Sequence, residues 1–473
     1  MKRRDFMKTS ALSGSLMLAT TRQGSAKANT MRIPAEEVPI IEEADICVLG
    51  GSCTGVFAAI RAARLGAKVV IIEKQNCFGG TATSSMVNVW HSLKDTEHKQ
   101  NIIAGLTLET MERLKKRNAV RFVENNSSRG FDFNSAELKI ELDEMVLEHN
   151  IQPHLHTAFS QPVVVDGKLI GVIVESKSGR GVIKARQFID ATGDGDLCHR
   201  LGLPSYTSNH LQPPTTCARL ENWHFPKEYS VNKTLNEHRD DYNLPEGFAW
   251  GTRVPGSDIY MLAGTRVYGA DCSSARDLTH AEIEGRRQVR AIMDIVRQTA
   301  PEANISLQAL PQQIGIRETR HIQCQYQLTG DDVLLGKRFD DAIANGSYRV
   351  DIHHQDKPGI TFRYLDGTEH YSRPGYPRKV GRWREKTETN PTFYQIPLRS
   401  IIPGKFDNLI LAGRMLDADI VAFSAVRVMV NMNQTGEAAG VTAFQALDGN
   451  KAIKDVPARS VREMLKNGGG IVL

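Results

Sequence analysis

Apolar and polar positions alternate along this chain in two periods, and the switch between them predicts its elements. Ala44 to Leu49 form a short apolar run, and Gly50 to Gly55 a turn. Val56, Ala59, Ile60 and Ala63 then recur at helical spacing, with Gly66 as the C-terminal stop. Lys68 to Glu73 read as a second buried strand, so the chain opens as a βαβ unit. Ile102, Leu106, Met111 and Leu114 mark one helix; a second starts at Asn134, with Glu137 as the partner of a capping box, and continues through Leu138, Leu142 and Met145. Residues 151–190 read as strands: Val163 to Val165 and Leu169 to Val174 form a hairpin about Asp166-Gly167, and Val182 to Ile189 follow. Residues 206–394 are richer in Pro, Trp, Tyr and charge, with short irregular elements, and read as a second domain inserted into the first. Phe406 to Gly413 restore a buried strand, and a long helix is expected from about Val426 to Leu447. No internal repeat is visible.

Composition adds little to this α/β reading, but charge does. Of 473 residues, 41% are apolar and 24% charged, ordinary for a globular protein, and the formal net charge is +5. The whole excess lies in residues 1–28, where Lys2, Arg3, Arg4, Lys8, Arg22 and Lys27 face only Asp5. The remainder is neutral, which gives no reason to expect a nucleic acid partner. The same 28 residues have the build of a targeting segment: a charged start, an apolar run from Ser10 to Thr20 too short to span a bilayer, and Ala26-Lys27-Ala28, suited to cleavage after Ala28. Lys2 to Lys8 resemble a twin-arginine export signal, with a general secretory signal as the alternative. That resemblance implies a periplasmic protein, not integral to the membrane, exported already folded by its machinery with any cofactor loaded. The seven cysteines are scattered without a C-x-x-C, so neither an iron–sulfur cluster nor structural zinc is expected, and most should be buried thiols.

The turn Gly50-Gly51-Ser52-Cys53-Thr54-Gly55 carries the first sign of chemistry. Against G-x-G-x-x-G it keeps the first and third glycines and puts Ser52 at the second. Such a loop lets backbone approach a pyrophosphate seated on the following helix N-terminus. Glu73, at the end of the second strand, stands where a carboxylate accepts bonds from ribose hydroxyls. The loop alone fits other α/β proteins; loop, strands, helix and Glu73 together point to a dinucleotide, NAD or FAD.

Four segments in order resemble the family of FAD-dependent oxidoreductases, distantly related to fumarate reductase and other glutathione-reductase-type flavoproteins: the turn with Glu73-Lys74; Phe78 to Ser84; Phe188 to Asp196; and Ile396 to Ser400 with Asn408 to Arg414 and Arg427 to Gly440. Gly315 to Arg320 is a further family-like stretch. The resemblance implies a Rossmann-like FAD-binding domain with a β-meander and a long C-terminal helix, over residues 40–205 and 395–473, and an inserted mixed α/β substrate domain over 206–394, with the flavin ring between them. It implies FAD contacts at Gly50, Gly51, Ser52, Thr54, Gly55, Glu73, Lys74, Gly80, Thr81, Ala82, Ala158, Ala191, Gly193, Gly413, Asn431, Met432 and Asn433. The N-terminal turn of the last helix would face flavin N1, where its partial positive charge suits the reduced ring. Ser52 and the polar run Met432 to Thr435 depart from the pattern.

The implied reaction is hydride transfer between a small organic substrate and flavin N5, with an external electron acceptor or donor. An exported NAD(P)-dependent oxidoreductase and a non-catalytic binding protein are the alternatives. Arg317 is the first candidate for substrate chemistry, through anion binding or proton transfer, although Arg317 and Arg320 about Glu318 also fit a structural ion pair. His91 is the second, as a base or a covalent flavin attachment point, the latter shared with Cys77. His154 with His156, and Asp351 with His353 and His354, are spaced for metal ligands but lack the remaining ligands nearby, and no metal is expected.

Overall fold

Ile46, Cys47, Val48 and Leu49 are apolar on both faces of one strand and at most 1% exposed, so strand Ile40–Leu49 needs neighbours on either edge and layers above and below. In the computed structural model, which describes Met31 and residues 33–473 apart from 125, 127, 128 and 355, it has them. Strand Val69–Ile72 pairs parallel on one side, followed by Gln152–His154; strand Gly179–Asp190 pairs parallel on the other. The free edge of Gly179–Asp190 is divided. Its first half pairs antiparallel with Lys168–Ser176, which turns back through Asp166 and Gly167, both at positive φ, into Ala158–Val165. Its last residues, Phe188 to Asp190, pair parallel with Leu409–Leu411. At the fork the Asn408 amide donates to the Leu169 and Arg186 carbonyls, tying the two branches together. The fold is therefore α/β, and its strands and meander fall where the apolar pattern put them.

Residues 206–394 build sheets of their own. Cys217–Glu221, Trp250–Arg253, Tyr260–Ala263 and Ser306–Ala309 form one, with helix Ala275–Thr299 supplying the core against it; Val350–His353, Ile360–Arg363, Thr368–Ser372 and Lys379–Arg382 form another. Helix Ala275–Thr299 corrects the expectation of only short elements in this region. Its buried positions Ala281, Gly285, Gln288, Val289, Ile292, Ile295 and Val296 follow helical spacing, but the charged residues between them hide the stripe. Pro39–Leu473 form one compact unit. Residues 1–38 are a separate unit, whose described residues carry no helix or strand; the expected export signal lies outside the described residues. Among the described residues no helix is long and apolar enough to cross a membrane.

Three local expectations change. The long C-terminal helix is present as Met429–Asp448 and starts three residues later than expected because Val428 is extended; a separate short helix, Ile420–Val426, capped by Asp419 through the Ala422 amide, precedes it. His154 ends its strand and His156 sits at φ +51°, so the two histidines share no strand face. Asn134 caps its helix as expected, but through the Ala136 amide and without Glu137 completing a capping box.

Helix Met429–Asp448 packs across helix Cys53–Arg64 at backbone distance. A Cβ on Gly436 would stand 2.1 Å from the Thr54 carbonyl oxygen, and one on Gly440 2.2 Å from that of Ala58. Between them Glu437 turns to Arg61, whose Nε donates at 2.7 Å, and also accepts the Leu106 amide at 3.1 Å. Burial pushes the Glu437 carboxyl up and Arg61 pulls it back. Gly440→Val therefore destabilises the protein by about 1–3 kcal/mol or more. Gly381→Ala, where the added carbon meets nothing within 4 Å, leaves the melting temperature unchanged. Parallel thermal melts of the two variants check this.

Candidate active site

The carboxyl ends of the parallel strands open onto one cavity of about 700 Å³. Gly50 makes the first turn above them. Its φ is +100°, and a Cβ there would lie 2.3 Å from the Ala191 carbonyl oxygen. Ser52, the departure from the glycine pattern, is the N-cap of helix Cys53–Arg64, its hydroxyl accepting the Gly55 amide at 3.4 Å. Serine thus trades the closest backbone approach for a capped helix. Gly55 passes directly under the Gly50 carbonyl. Glu73 is 8% exposed at the end of its strand; one carboxylate oxygen accepts the Gly51 amide at 2.7 Å and the other the Gln75 amide at 2.8 Å. Those bonds aim the carboxylate along the cavity wall.

Of the expected contact residues, Gly50, Ser52, Thr54, Glu73, Lys74, Gly80, Thr81, Ala191, Gly193, Gly413, Met432 and Asn433 line this cavity, as do Arg317 and His91. Five stand off it. Gly51 and Gly55 serve the turn beneath. Ala82 is fully buried, its carbonyl taken by the Ser135 hydroxyl. Ala158 is exposed at the start of its strand. Asn431 is turned away because Met429, Met432 and Asn433 share one helix face; its amide donates to the Tyr394 hydroxyl at 3.0 Å. Cys77 also lies off the cavity, its sulfur 3.5 Å from the Ser84 hydroxyl.

The far end of the cavity collects charge from distant parts of the chain. Arg317 donates to the Pro213 carbonyl and the Thr215 hydroxyl, not to Glu318. Glu318 instead accepts the Gln212 amide at 2.8 Å and lies 3.2 Å from His321, while Arg320 donates to the Asp194 carbonyl, so the Arg–Glu pairing expected there does not form. Asp351 is the one carboxylate in this group. Its Oδ2 accepts the Tyr348 hydroxyl at 2.7 Å and the Arg427 guanidinium at 3.3 Å; its Oδ1 lies 3.2 Å from His353 Nε2. Arg349 stacks over the Phe362 ring, and His91 packs edge-on against Tyr348 with centroids 4.2 Å apart.

Burial and these neighbours move the titrations together. Burial, aided by Arg427, pushes Arg317 down to about 10. Burial works to raise the Asp351 carboxyl, but His353, Arg427 and Arg349 outweigh it and hold it well below the usual range. His91 is pushed down to about 3 by burial, then by Arg349 and Arg427; His353 falls to about 4, mainly by burial and against the pull of Asp351. Both imidazoles are thus neutral at neutral pH. Tyr348, Arg349, Asp351, His353, Arg378 and Arg427 are wall residues that sequence reasoning did not assign to the site. Their spacing carries no pattern; Arg427 alone falls in a family-like stretch.

The family model described as FAD dependent oxidoreductase matches residues 45–465. Mitochondrial dihydrolipoyl dehydrogenase of Schizosaccharomyces pombe is 32% identical over 84 residues, 15% of this chain and 16% of that enzyme, and that of Caenorhabditis elegans 34% identical over 86 residues, 17% of each. The chain spans less than a fifth of the length of these curated relatives. Among solved structures, a geranylgeranyl bacteriochlorophyll reductase-like protein from Thermoplasma acidophilum aligns at TM-score 0.46 and 13% identity over 90% of this chain and 84% of its own. L-proline dehydrogenase from P. horikoshii aligns at 0.42 and 10% over 92% and 100%.

FAD is the cofactor, and the residues present fit it: a cradle at Gly50 that a side chain would fill, a helix N-terminus opening on the cavity, and a buried, aimed carboxylate at Glu73. Glu73→Ala removes that carboxylate and leaves two amides without their acceptor. The dissociation constant for FAD should rise about 10- to 100-fold, the value of a hydrogen bond to a charged group. Fluorescence titration of the deflavinated protein with FAD measures it; an unchanged constant would detach Glu73 from the cofactor.

Proposed function

The chain belongs to the family of FAD-dependent oxidoreductases, and from that premise we propose that it catalyses two-electron exchange between FAD and a small organic anion. The observation that carries this reading is the composition of the cavity's far end. Arg317 and Arg427 line it beside Asp351, in the same space that holds the dinucleotide turn. Both histidines there are neutral, so the local charge is an excess of guanidinium. Arg317, bonded to neutral acceptors, and Arg427, paired with Asp351, place two largely buried guanidinium groups beside one carboxylate, and neutralising the surplus by an incoming anion recovers part of what burial costs.

FAD, when bound, supplies the redox chemistry, accepting or donating a hydride at N5. The protein supplies the rest. Helix Met429–Asp448 starts without a side-chain cap, and Met429 at its first turn lines the cavity, so its free amides favour negative charge there. Arg317 is fixed by Pro213 and Thr215 and stands ready to hold a carboxylate, phosphate or sulfate. With one dinucleotide turn in the chain, substrate and the external electron partner use the same cavity in turn. The start of the chain supports export: Lys2-Arg3-Arg4-Asp5-Phe6-Met7-Lys8 is read as a twin-arginine signal delivering the loaded protein to the periplasm.

Two experiments test these readings. Anaerobic holoprotein should lose its oxidised flavin spectrum on mixing with one class of organic anions and keep it with neutral alcohols and amines. Arg317→Gln should then raise the apparent dissociation constant about tenfold or more at unchanged flavin content. Bleaching by neutral molecules alone would end the anion reading. For export, replacing Arg3 and Arg4 by lysine should trap a folded, flavin-loaded precursor in the cytoplasm; normal fractionation of that variant would favour the general secretory route.

A further inference from the structure

We propose that the substrate carries a hydroxyl next to its carboxylate, as 2-hydroxy acids and sugar acids do, and that His353 takes the hydroxyl proton while Asp351 positions it. This rests on the reading of the site as a flavin-dependent anion site and adds the substrate's second functional group.

The argument starts from the strand. Asp351 and His353 are two apart on Val350–His353, so both side chains leave the same face, and both line the cavity. Asp351 is immobilised from two other elements: Tyr348 in the preceding loop and Arg427 just before the long helix occupy Oδ2. Oδ1 is left without a hydrogen-bond partner in the geometry and lies 3.2 Å from His353 Nε2. A carboxylate oxygen without another partner at that distance favours the tautomer with its proton on Nε2, which a small ring rotation would hydrogen-bond, and leaves the Nδ1 lone pair as the acceptor. A carboxylate that orients a neutral imidazole in a cavity wall is the arrangement general-base catalysis requires. A structural role needs no neutral, half-satisfied imidazole in a wall already supplied with cations.

The groups facing this imidazole decide what it accepts. Arg317 comes from the segment after Ser306–Ala309, Arg427 from before the long helix, Arg349 and Tyr348 from the preceding loop, and Asp351 from its own strand; His91 packs behind Tyr348. This surround repels an ammonium, which argues against amino acids and amines. It welcomes a carboxylate beside the reacting carbon, and that carboxylate in turn raises the proton affinity of His353. The chemistry balances with FAD as the oxidant. The O–H bond breaks with its proton passing to His353 Nδ1; the carbinol C–H bond breaks with its hydrogen and both electrons passing to FAD; and the carbon is left as the carbonyl of a 2-keto acid.

The test uses anaerobic holoprotein and four sets of probes: glycolate, lactate, malate and gluconate; acetate, propionate and succinate, which lack the hydroxyl; alanine; and glycerol. At least one hydroxy acid should bleach the flavin, and alanine, glycerol and the plain acids should not. His353→Gln should keep its flavin and bind succinate in calorimetry within about twofold of the unaltered protein, while bleaching slows at least about 100-fold. Asp351→Asn, which removes the carboxylate that holds the His353 proton, should shift the acid limb of the rate profile to lower pH, because the base is protonated less readily. If plain acids bind but no hydroxy acid of the panel bleaches the flavin, the hydroxy acid assignment is overturned and the anion site stands. If no acid binds and only neutral probes bleach, the anion site falls with it. A His353→Gln variant that bleaches within tenfold of the unaltered rate would overturn the base assignment alone.

Discussion

The close crossing of helices Cys53–Arg64 and Met429–Asp448 is the constraint on which the rest of the structure depends. Gly436 and Gly440 bring the second helix onto the carbonyls of Thr54 and Ala58, and the buried Arg61–Glu437 pair fixes the register of that contact. A buried pair of this kind contributes little net stability but is costly to mismatch, so it discriminates between alternative slides of one helix along the other. The first helix starts at the dinucleotide turn. The second starts beside Arg427, which holds Asp351. One rigid crossing therefore couples the dinucleotide-turn end of the cavity to the end that Arg427 and Asp351 line.

The cavity is electrically lopsided as a result. At the dinucleotide end Glu73 is satisfied by two amides, and the Asp194 carboxylate is matched by Arg414. At the other end Arg317 and Arg427 meet Asp351, and burial depresses His91 and His353 so that neither adds charge.

Much of this was legible in the sequence, for identifiable reasons. The parallel core strands are apolar on both faces and bounded by glycine, and the meander turns on Asp166-Gly167, so period and turn chemistry agreed. The dinucleotide end is local: turn, helix and Glu73 lie within 25 residues, from Leu49 to Glu73. The substrate end is not. Arg317, Tyr348, Asp351, His353 and Arg427 meet only through tertiary packing. Asp351 and His353 attracted attention only as metal ligands, because spacing shows proximity but not which atom faces which. The break at Val428 escaped because Val426, Val428 and Val430 continue an apolar run, and only the Asp419 cap shows that a helix has already started and stopped. Helix Ala275–Thr299 escaped for the opposite reason, a sound stripe diluted by charge.

The forked edge of strand Gly179–Asp190 has a consequence for how the protein comes to be made. Its parallel neighbour, Leu409–Leu411, arrives from more than 200 residues further along the chain, and the helix that closes over the cofactor comes later still. Contacts of such long sequence separation are slow to form, since a large loop must close before they repay it. During synthesis the nascent chain carries a sheet with an open half-edge until Leu409–Leu411 emerges, and a dinucleotide turn without its crossing helix until Met429–Asp448 follows. A product truncated before Leu409 would expose an unpaired half-edge to aggregation.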